Sequence, residues 1–128
     1  MKKDFAQKLT PEQYRVLVEK GTEAPFSGEY LQNSAKGTYV CAACGSTLFA
    51  SDSKYESDQP GLQGWPSFAD VVAEGAIELV PDNSWGMQRT EVICKNCGGH
   101  LGHLFDDASS PSGQHYCINS CSLNFDKS

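Results

Sequence analysis

The chain has 128 residues, 39% of them hydrophobic, which suits one core burying roughly two-thirds of the unfolded surface. Its formal net charge of −6 comes without a cluster of lysine or arginine, which argues against a nucleic-acid backbone as partner. No segment approaches the length and apolarity that span a bilayer, and Met1-Lys-Lys is not followed by the apolar run of a secretory leader. Twelve glycines favour a turn-rich β protein over a helical bundle, and residues 1–128 read as a single domain without a low-complexity linker.

The first predicted element is a helix within Leu9-Thr-Pro-Glu-Gln-Tyr-Arg-Val-Leu-Val-Glu-Lys-Gly21. Thr10 serves as N-cap, Pro11 opens the first turn, Gln13 completes a capping box and Gly21 stops the run. Tyr14, Leu17 and Val18 form an apolar stripe for the β core. Pro25-Phe-Ser-Gly28 and Asn33-Ser-Ala-Lys-Gly37 read as loops. Short β-type runs follow at 38–40, 47–49, 76–80, 87–93, 103–105 and 115–125. Between them stand the turn residues Glu74-Gly75, Pro81-Asp-Asn-Ser84 and Ser109-Ser-Pro-Ser-Gly113. The expected fold is mainly β: an antiparallel β-sheet domain with one or two N-terminal helices and a four-cysteine zinc clip at one end.

Six cysteines divide by spacing into two matched pairs and two loners. Cys41-Ala-Ala-Cys44-Gly45 and Cys94-Lys-Asn-Cys97-Gly98 each put two thiolates on a tight turn, closed by a glycine that takes positive φ without a Cβ clash. Together they complete a four-thiolate site for one structural Zn2+, which can add about 10–16 kcal/mol of apparent binding energy to folding. Competing readings are a thioredoxin-type redox pair and two disulfides. Neither accounts for the duplication, and a redox pair should open a helix where Cys44-Gly-Ser-Thr-Leu-Phe49 reads as a turn into a strand. A third arrangement recruits His100 or His103, which continue the ligand spacing after Cys97, but strands Cys41 and Cys44. Zinc knuckles with free thiols suit a reducing compartment such as the cytoplasm.

The remaining cysteines are Cys117 and Cys121. In an extended 115–125 run side chains alternate, so His115, Cys117, Asn119 and Cys121 share one face and Tyr116, Ile118 and Ser120 the other. An ordinary thiol with pKa near 8.5 is only a few per cent thiolate at pH 7, and His115 and Asn119 could supply the donors or charge that raise this fraction. A lone cysteine is also commonly a small packing residue, so its surroundings decide. Gly99-His100-Leu-Gly-His103-Leu-Phe-Asp-Asp107 brings two imidazoles and a carboxylate pair directly after the second knuckle. In Gly64-Trp65-Pro66-Ser67-Phe68 the proline biases Trp65 toward an extended backbone that can display its indole as a pocket wall. A reactive thiol, acid–base groups and an apolar wall are the parts of a small-substrate site.

With these clusters, Leu9-Thr-Pro-Glu-Gln-Tyr-Arg-Val16, Pro25-Phe-Ser-Gly-Glu-Tyr30 and Tyr116-Cys-Ile-Asn-Ser120 in this order, the chain resembles the methionine-R-sulfoxide reductases of the B type. The resemblance implies a β-sheet fold, a zinc at the four knuckle cysteines and a catalytic cysteine at Cys117. It further implies that the Cys117 thiolate attacks the sulfur of methionine sulfoxide in proteins while His103 protonates the departing oxygen. His100 and Asp107 would shape the hydrogen-bond network and Asn119 would orient groups on the Cys117 face. Trp65 would pack on the substrate methyl, with Phe68 and His115 completing the substrate contacts. Cys117 would be left as a sulfenic acid, recycled by thioredoxin or another thiol reductant. A monomer without nucleic-acid or membrane partners is expected.

Two positions depart from the family pattern. His115 stands where the family usually has arginine, with a shorter reach and no planar fork. Gln63, in the longer loop Ser57-Asp-Gln-Pro-Gly-Leu-Gln63, stands where many members carry a resolving cysteine. Cys121 is the spare sulfur, but four residues along an uninterrupted strand span about 13 Å, whereas a disulfide needs Cα atoms roughly 4.4–6.8 Å apart. Cys121 therefore reads as a packed residue, and the reductant as external. The alternative from another class is a non-catalytic zinc-ribbon module that binds protein. Alkylation separates the two, one fast thiol marking the enzyme.

Overall fold

The computed structural model describes residues 7–57, 63–73, 75–83, 86 and 88–127; loop residues 58–62 and the turn or strand residues Glu74, Ser84 and Met87 lie outside them. Helix α1 (Pro11–Leu17) starts where its capping box puts it. The Gln13 amide donates to Thr10 Oγ1 at 3.2 Å and the Thr10 amide to Gln13 Oε1 at 3.0 Å, satisfying two donors that a helix start leaves open. The helix ends earlier than expected, with Val18 as C-cap, and Lys20 takes a left-handed φ of 60°. Its buried face is Val16 and Leu17, whereas Tyr14, assigned to the core stripe, is 43% exposed. Among the described residues this is the one α-helix.

Nine strands follow among the described residues: β1 (Gly37–Cys41), β2 (Thr47–Ala50), β3 (Lys54–Tyr55), β4 (Ser67–Phe68), β5 (Ile77–Asp82), β6 (Arg89–Cys94), β7 (His100–Asp106), β8 (Gln114–Ile118) and β9 (Leu123–Lys127). All pairings are antiparallel, in a three-stranded sheet ordered β2-β1-β9 and a six-stranded sheet ordered β3-β4-β8-β7-β6-β5. Aromatic rings join the sheets. Phe49 of β2 stacks on Phe68 of β4 at 4.4 Å, and Tyr39 of β1 meets Phe68 edge-on at 5.1 Å. Phe68 is thus fully buried in the core and is no substrate contact; alternation along β4 turns Ser67, not Phe68, to the face that carries Cys117.

The predicted 115–125 strand is two strands of different sheets. The chain leaves β8 after Ile118, turns through a 3-10 segment at Ser120–Ser122 and enters the smaller sheet as β9. Short polar side chains fix this break by bonding backbone elsewhere, which competes with a continued ladder. Asn119 Nδ2 donates to Leu101 O at 3.0 Å, Ser122 Oγ donates to His100 O at 3.1 Å, and Ser120 Oγ accepts from the Tyr30 amide at 2.8 Å. Cys121 therefore lies on the turn, and strand alternation does not put it on the face of Cys117.

Gly102 lets β7 lie close against β8 beside the nucleophile candidate, because a Cβ there would collide with the backbone carbonyl of Cys117. Gly102→Ala is expected to lower unfolding free energy by at least about 1–3 kcal/mol through overpacking. Urea denaturation of the metal-loaded protein measures this, and an unchanged midpoint contradicts it.

Candidate active site and metal cluster

Cys41 ends β1 and Cys94 ends β6, and in the turns that follow Gly45 and Gly98 take φ of 81° and 78°. Their amides close back on Cys41 O at 2.8 Å and Cys94 O at 2.7 Å, bringing Cys44 and Cys97 round to the same point. The four sulfurs lie within 4.8 Å of one another, with Cys41 to Cys97 at 3.7 Å and Cys44 to Cys94 at 3.6 Å. Sulfurs at about 2.3 Å from a tetrahedral ion stand ~3.8 Å apart, so this donor set fits a metal ion as it stands. Hydrogen bonds from Cys41 and Cys97 already pull the Cys94 thiol far down. Both histidines of the third arrangement bond carboxylates instead, as described below. Because β1 and β6 belong to different sheets, the cluster ties the two sheets together.

Cys117 occupies the middle of a row running across five strands. Opposite it stand Ser67 of β4 on one side and His103 of β7 on the other, with Tyr55 beyond Ser67 and Glu91 beyond His103. Directly opposed residues of antiparallel strands share a face, with Cβ atoms about 4.5–5.5 Å apart. Cys117 is partly exposed, outside both the hydrophobic core and the metal cluster. Burial nevertheless pushes its thiol up to about 12, and the charge of Glu23 adds to the rise. This reverses the expectation that the neighbours His115 and Asn119 ease its ionisation.

On the β7 side, His103 Nε2 lies 2.7 Å from Asp82 Oδ2, which also meets Arg89 Nη2 at 3.3 Å. A register shift between Val92 and Ile93 brings His100 to the same neighbourhood, its ring 5.4 Å from that of His103. His100 Nδ1 pairs with Glu91 Oε2 at 2.7 Å, and Lys20 Nζ approaches Glu91 Oε1 at 3.4 Å. Asp82 and Glu91, the partners of both imidazoles, were missed in the sequence: residues 81–84 read as a turn, and hairpin pairing of β5 with β6 is what carries Asp82 into place.

On the other side, Asp107 centres a hydrogen-bond network of its own, with Tyr55, Ser57, Ser109 and His115. Its Oδ2 receives Ser57 Oγ at 2.6 Å, Tyr55 Oη at 2.8 Å and His115 Nδ1 at 3.1 Å, while Ser109 donates its amide and hydroxyl to Oδ1. These donors, Ser109 first, hold the carboxyl well below the usual carboxylate range. His115 is fully buried, so the substrate contact expected of it is replaced by a hydrogen bond between its Nε2 and Ser67 Oγ at 2.8 Å.

Asn119 acts as a bracket: its Oδ1 accepts from the Glu23 amide at 3.0 Å while Nδ2 holds Leu101 O. The Glu23 carbonyl in turn accepts from the Trp65 indole at 3.0 Å, and its Oε1 accepts from the Cys121 amide at 3.0 Å. Glu23, buried within a polar stretch that looks like surface, gave no sequence signal. Gly64 completes the setting of Trp65, with φ of 111° and no room for a Cβ against Pro25. The indole borders a cleft of about 210 Å³ shared with Phe26, Tyr55, Ser57, Gln63 and Ser67, where Phe26 is 69% exposed.

Burial lowers His100 and His115 below the ordinary histidine value, against the pull of Glu91 and Asp107. Both rings are then neutral in the folded chain where the unfolded chain already binds protons, so stability is present above about pH 6.5 and is lost as pH falls below it. The slope is up to about 1.4 kcal/mol per pH unit for each ring. Urea midpoints of the metal-loaded protein between pH 7.5 and 5.5 measure it, with a shallower slope expected for His115→Gln and an equal slope contradicting the assignment.

No helix among the described residues is long and apolar enough to cross a membrane. The SelR domain model matches residues 9–127. A peptide methionine sulfoxide reductase MsrB of Leptospira interrogans is 56% identical over 124 residues, covering 97% of this chain and 92% of the relative. Its namesake in Methanosarcina mazei is also 56% identical over 124 residues, covering 97% and 86%. Methionine-R-sulfoxide reductase B3, mitochondrial, of Mus musculus is 49% identical over 122 residues, covering 95% of this chain and 47% of the relative. With a mainly antiparallel β fold, a four-cysteine metal cluster and these relatives, the chain belongs to the SelR domain family, among the peptide methionine sulfoxide reductases of the B type.

Proposed function

We propose that the chain reduces the R epimer of methionine sulfoxide in proteins, with Cys117 as nucleophile and His103 as acid. The observation that carries this reading is the direct opposition of Cys117 and His103 across β8 and β7, with Ser67, the partner of Cys117 on β4, lining a cleft walled by Trp65. A sulfoxide sulfur accepts a nucleophile as its oxygen is protonated, so the thiolate and the acid act together. Asp82 fixes the His103 ring through Nε2, and the imidazolium gives the proton at Nδ1. The sulfoxide gains two electrons and leaves as methionine, while Cys117 keeps the oxygen as a sulfenic acid. Trp65, held through Glu23 and Asn119, packs on the substrate methyl.

The metal of the cluster is Zn2+ in this reading, since four thiolates at tetrahedral spacing are its common structural donor set. Committing four of six cysteines to one ion suits a reducing compartment such as the cytoplasm. Gln63 lines the cleft where the family pattern has a resolving thiol, and Cys121 sits on the turn against Glu23, so thioredoxin or another external thiol recycles a monomeric enzyme. Steady-state assay with both epimers of a sulfoxide peptide tests the roles. His103→Gln is expected to lower kcat about 10²–10⁴-fold with little change in KM. Retention of half the wild-type kcat removes His103 as the acid.

A further inference from the structure

Among the described residues Phe26 is the most exposed large apolar side chain, and it holds φ of 62°, a region that bulky residues enter only when their surroundings compel it. The surroundings here are the Trp65 cleft. The Phe26 amide donates to Gly64 O at 2.8 Å, the Trp65 indole donates to Glu23 O at 3.0 Å, and Pro25 occupies the space that a Cβ on Gly64 would take. Two hydrogen bonds and one packed contact thus clamp residues 23–26 onto residues 64–65 and fix the exposed ring on the rim. Single apolar residues scattered over a surface need no explanation, but this ring shares a concavity with Leu31, Tyr55 and Trp65.

We infer that Phe26 is a specificity residue for the substrate: it packs on an apolar side chain close in sequence to the methionine sulfoxide, in an extended polypeptide segment. The inference deepens the reductase reading and rests on it, since Trp65 takes the sulfoxide methyl there and Phe26 is left for the neighbour.

The cleft is shaped for a chain rather than for one amino acid. Leu31, Gln32, Tyr55 and Glu56 also line a second cleft, of about 220 Å³, that reaches Ser34 and Lys54. Lys54 and Tyr55 form β3, the edge strand of the larger sheet, so among the described residues no further strand covers that side. Lys54 Nζ donates to Leu31 O at 2.8 Å, which braces the loop on the opposite bank. The second cleft is bordered by Glu56 and Lys54, one charge of each sign, so the preference there is set by apolar contact rather than by net charge. An extended chain turns successive side chains to opposite sides, so a residue within two places of the sulfoxide can reach the rim while the sulfoxide enters beside Trp65. Apolar residues recur at every second place of a strand and every third or fourth of a helix, so this preference favours oxidised segments that unfolding has released from a core.

Steady-state kinetics of the metal-loaded protein on a set of oxidised peptides tests this. Each peptide carries one methionine R-sulfoxide in a serine chain, with Leu at one of the four positions within two residues of it. In wild type, Leu at one of these positions is expected to raise kcat/KM about 5–10-fold over the all-serine peptide, chiefly through KM. Phe26→Gly suits the φ of 62° and removes a side chain from water, so it folds and holds its metal. In this variant the Leu and serine peptides are expected to turn over alike, whereas Phe26→Leu, which keeps an apolar side chain, retains the preference. Should the glycine loosen the turn, seen as a lower melting temperature, Phe26→Asn takes its place, since asparagine also tolerates this backbone region. A wild type that treats all the peptides alike overturns the inference. So does a Leu preference that survives in Phe26→Gly, because a merely structural Phe26 would lower every rate equally and leave the ratio unmoved. Wild-type turnover of the all-serine peptide reports the reductase reading separately: its absence removes that reading, whereas turnover without a Leu preference removes this inference alone.

Discussion

Cys117→Ser is expected to abolish the proposed reduction of methionine R-sulfoxide, by at least about 10³-fold, equivalent to roughly 4 kcal/mol in the barrier. The substitution is close to isosteric and the side chain lies partly exposed, outside the core and the metal cluster, so thermal stability and metal content stay at wild-type levels. What is lost is chemical. A hydroxyl is a far weaker nucleophile than a thiolate, and none of the neighbours can make serine attack sulfur. Cys121→Ser is the control, since that residue sits on the Ser120–Ser122 turn, its amide bonded to Glu23. Single-turnover assays of the two variants against both epimers should show R reduction retained in Cys121→Ser and absent in Cys117→Ser. Activity surviving in Cys117→Ser moves the nucleophile elsewhere.

Stripping the metal is the other large effect. A four-thiolate structural site contributes about 10–16 kcal/mol of apparent binding energy, as much as the 5–15 kcal/mol by which a typical domain is stable. Here a bound ion would join the end of β1 in one sheet to the end of β6 in the other, and the second knuckle leads straight into His100 and His103. Chelation, or Cys94→Ser, therefore loosens the sheet-to-sheet core and the acid side of the site together. Circular dichroism and thiol counting measure it: loss of the cooperative thermal transition and reaction of all six cysteines are expected. A protein freed of metal that melts at the wild-type temperature contradicts the role of the cluster.

The parts of this molecule that local chemistry dictates were legible in the sequence. Thr10 and Gln13 form their capping box, Cys-x-x-Cys-Gly recurs twice and makes one cluster, and alternation along β8 puts Tyr116 and Ile118 in the core with Cys117 on the opposite face. What was not legible depends on pairing between distant strands. Asp82 reaches His103 across 21 residues and Ser67 reaches His115 across 48, through registers that no local pattern encodes. Glu23 reaches Asn119 across 96 residues. The break at Asn119 escaped because its cause lies in partners on β7 and in the loop at Tyr30, not in the turn residues alone. Phe68 was misread for a related reason, since its stacking partner Phe49 belongs to the other sheet.

The most direct measurement is one turnover of the metal-loaded protein with the R-sulfoxide peptide and no reductant, followed by sulfenic-acid trapping with dimedone and peptide mapping. One equivalent of methionine, with the dimedone adduct on Cys117, is the predicted result. Methionine formed without an adduct at Cys117, or with the adduct at Cys121, contradicts the central claim.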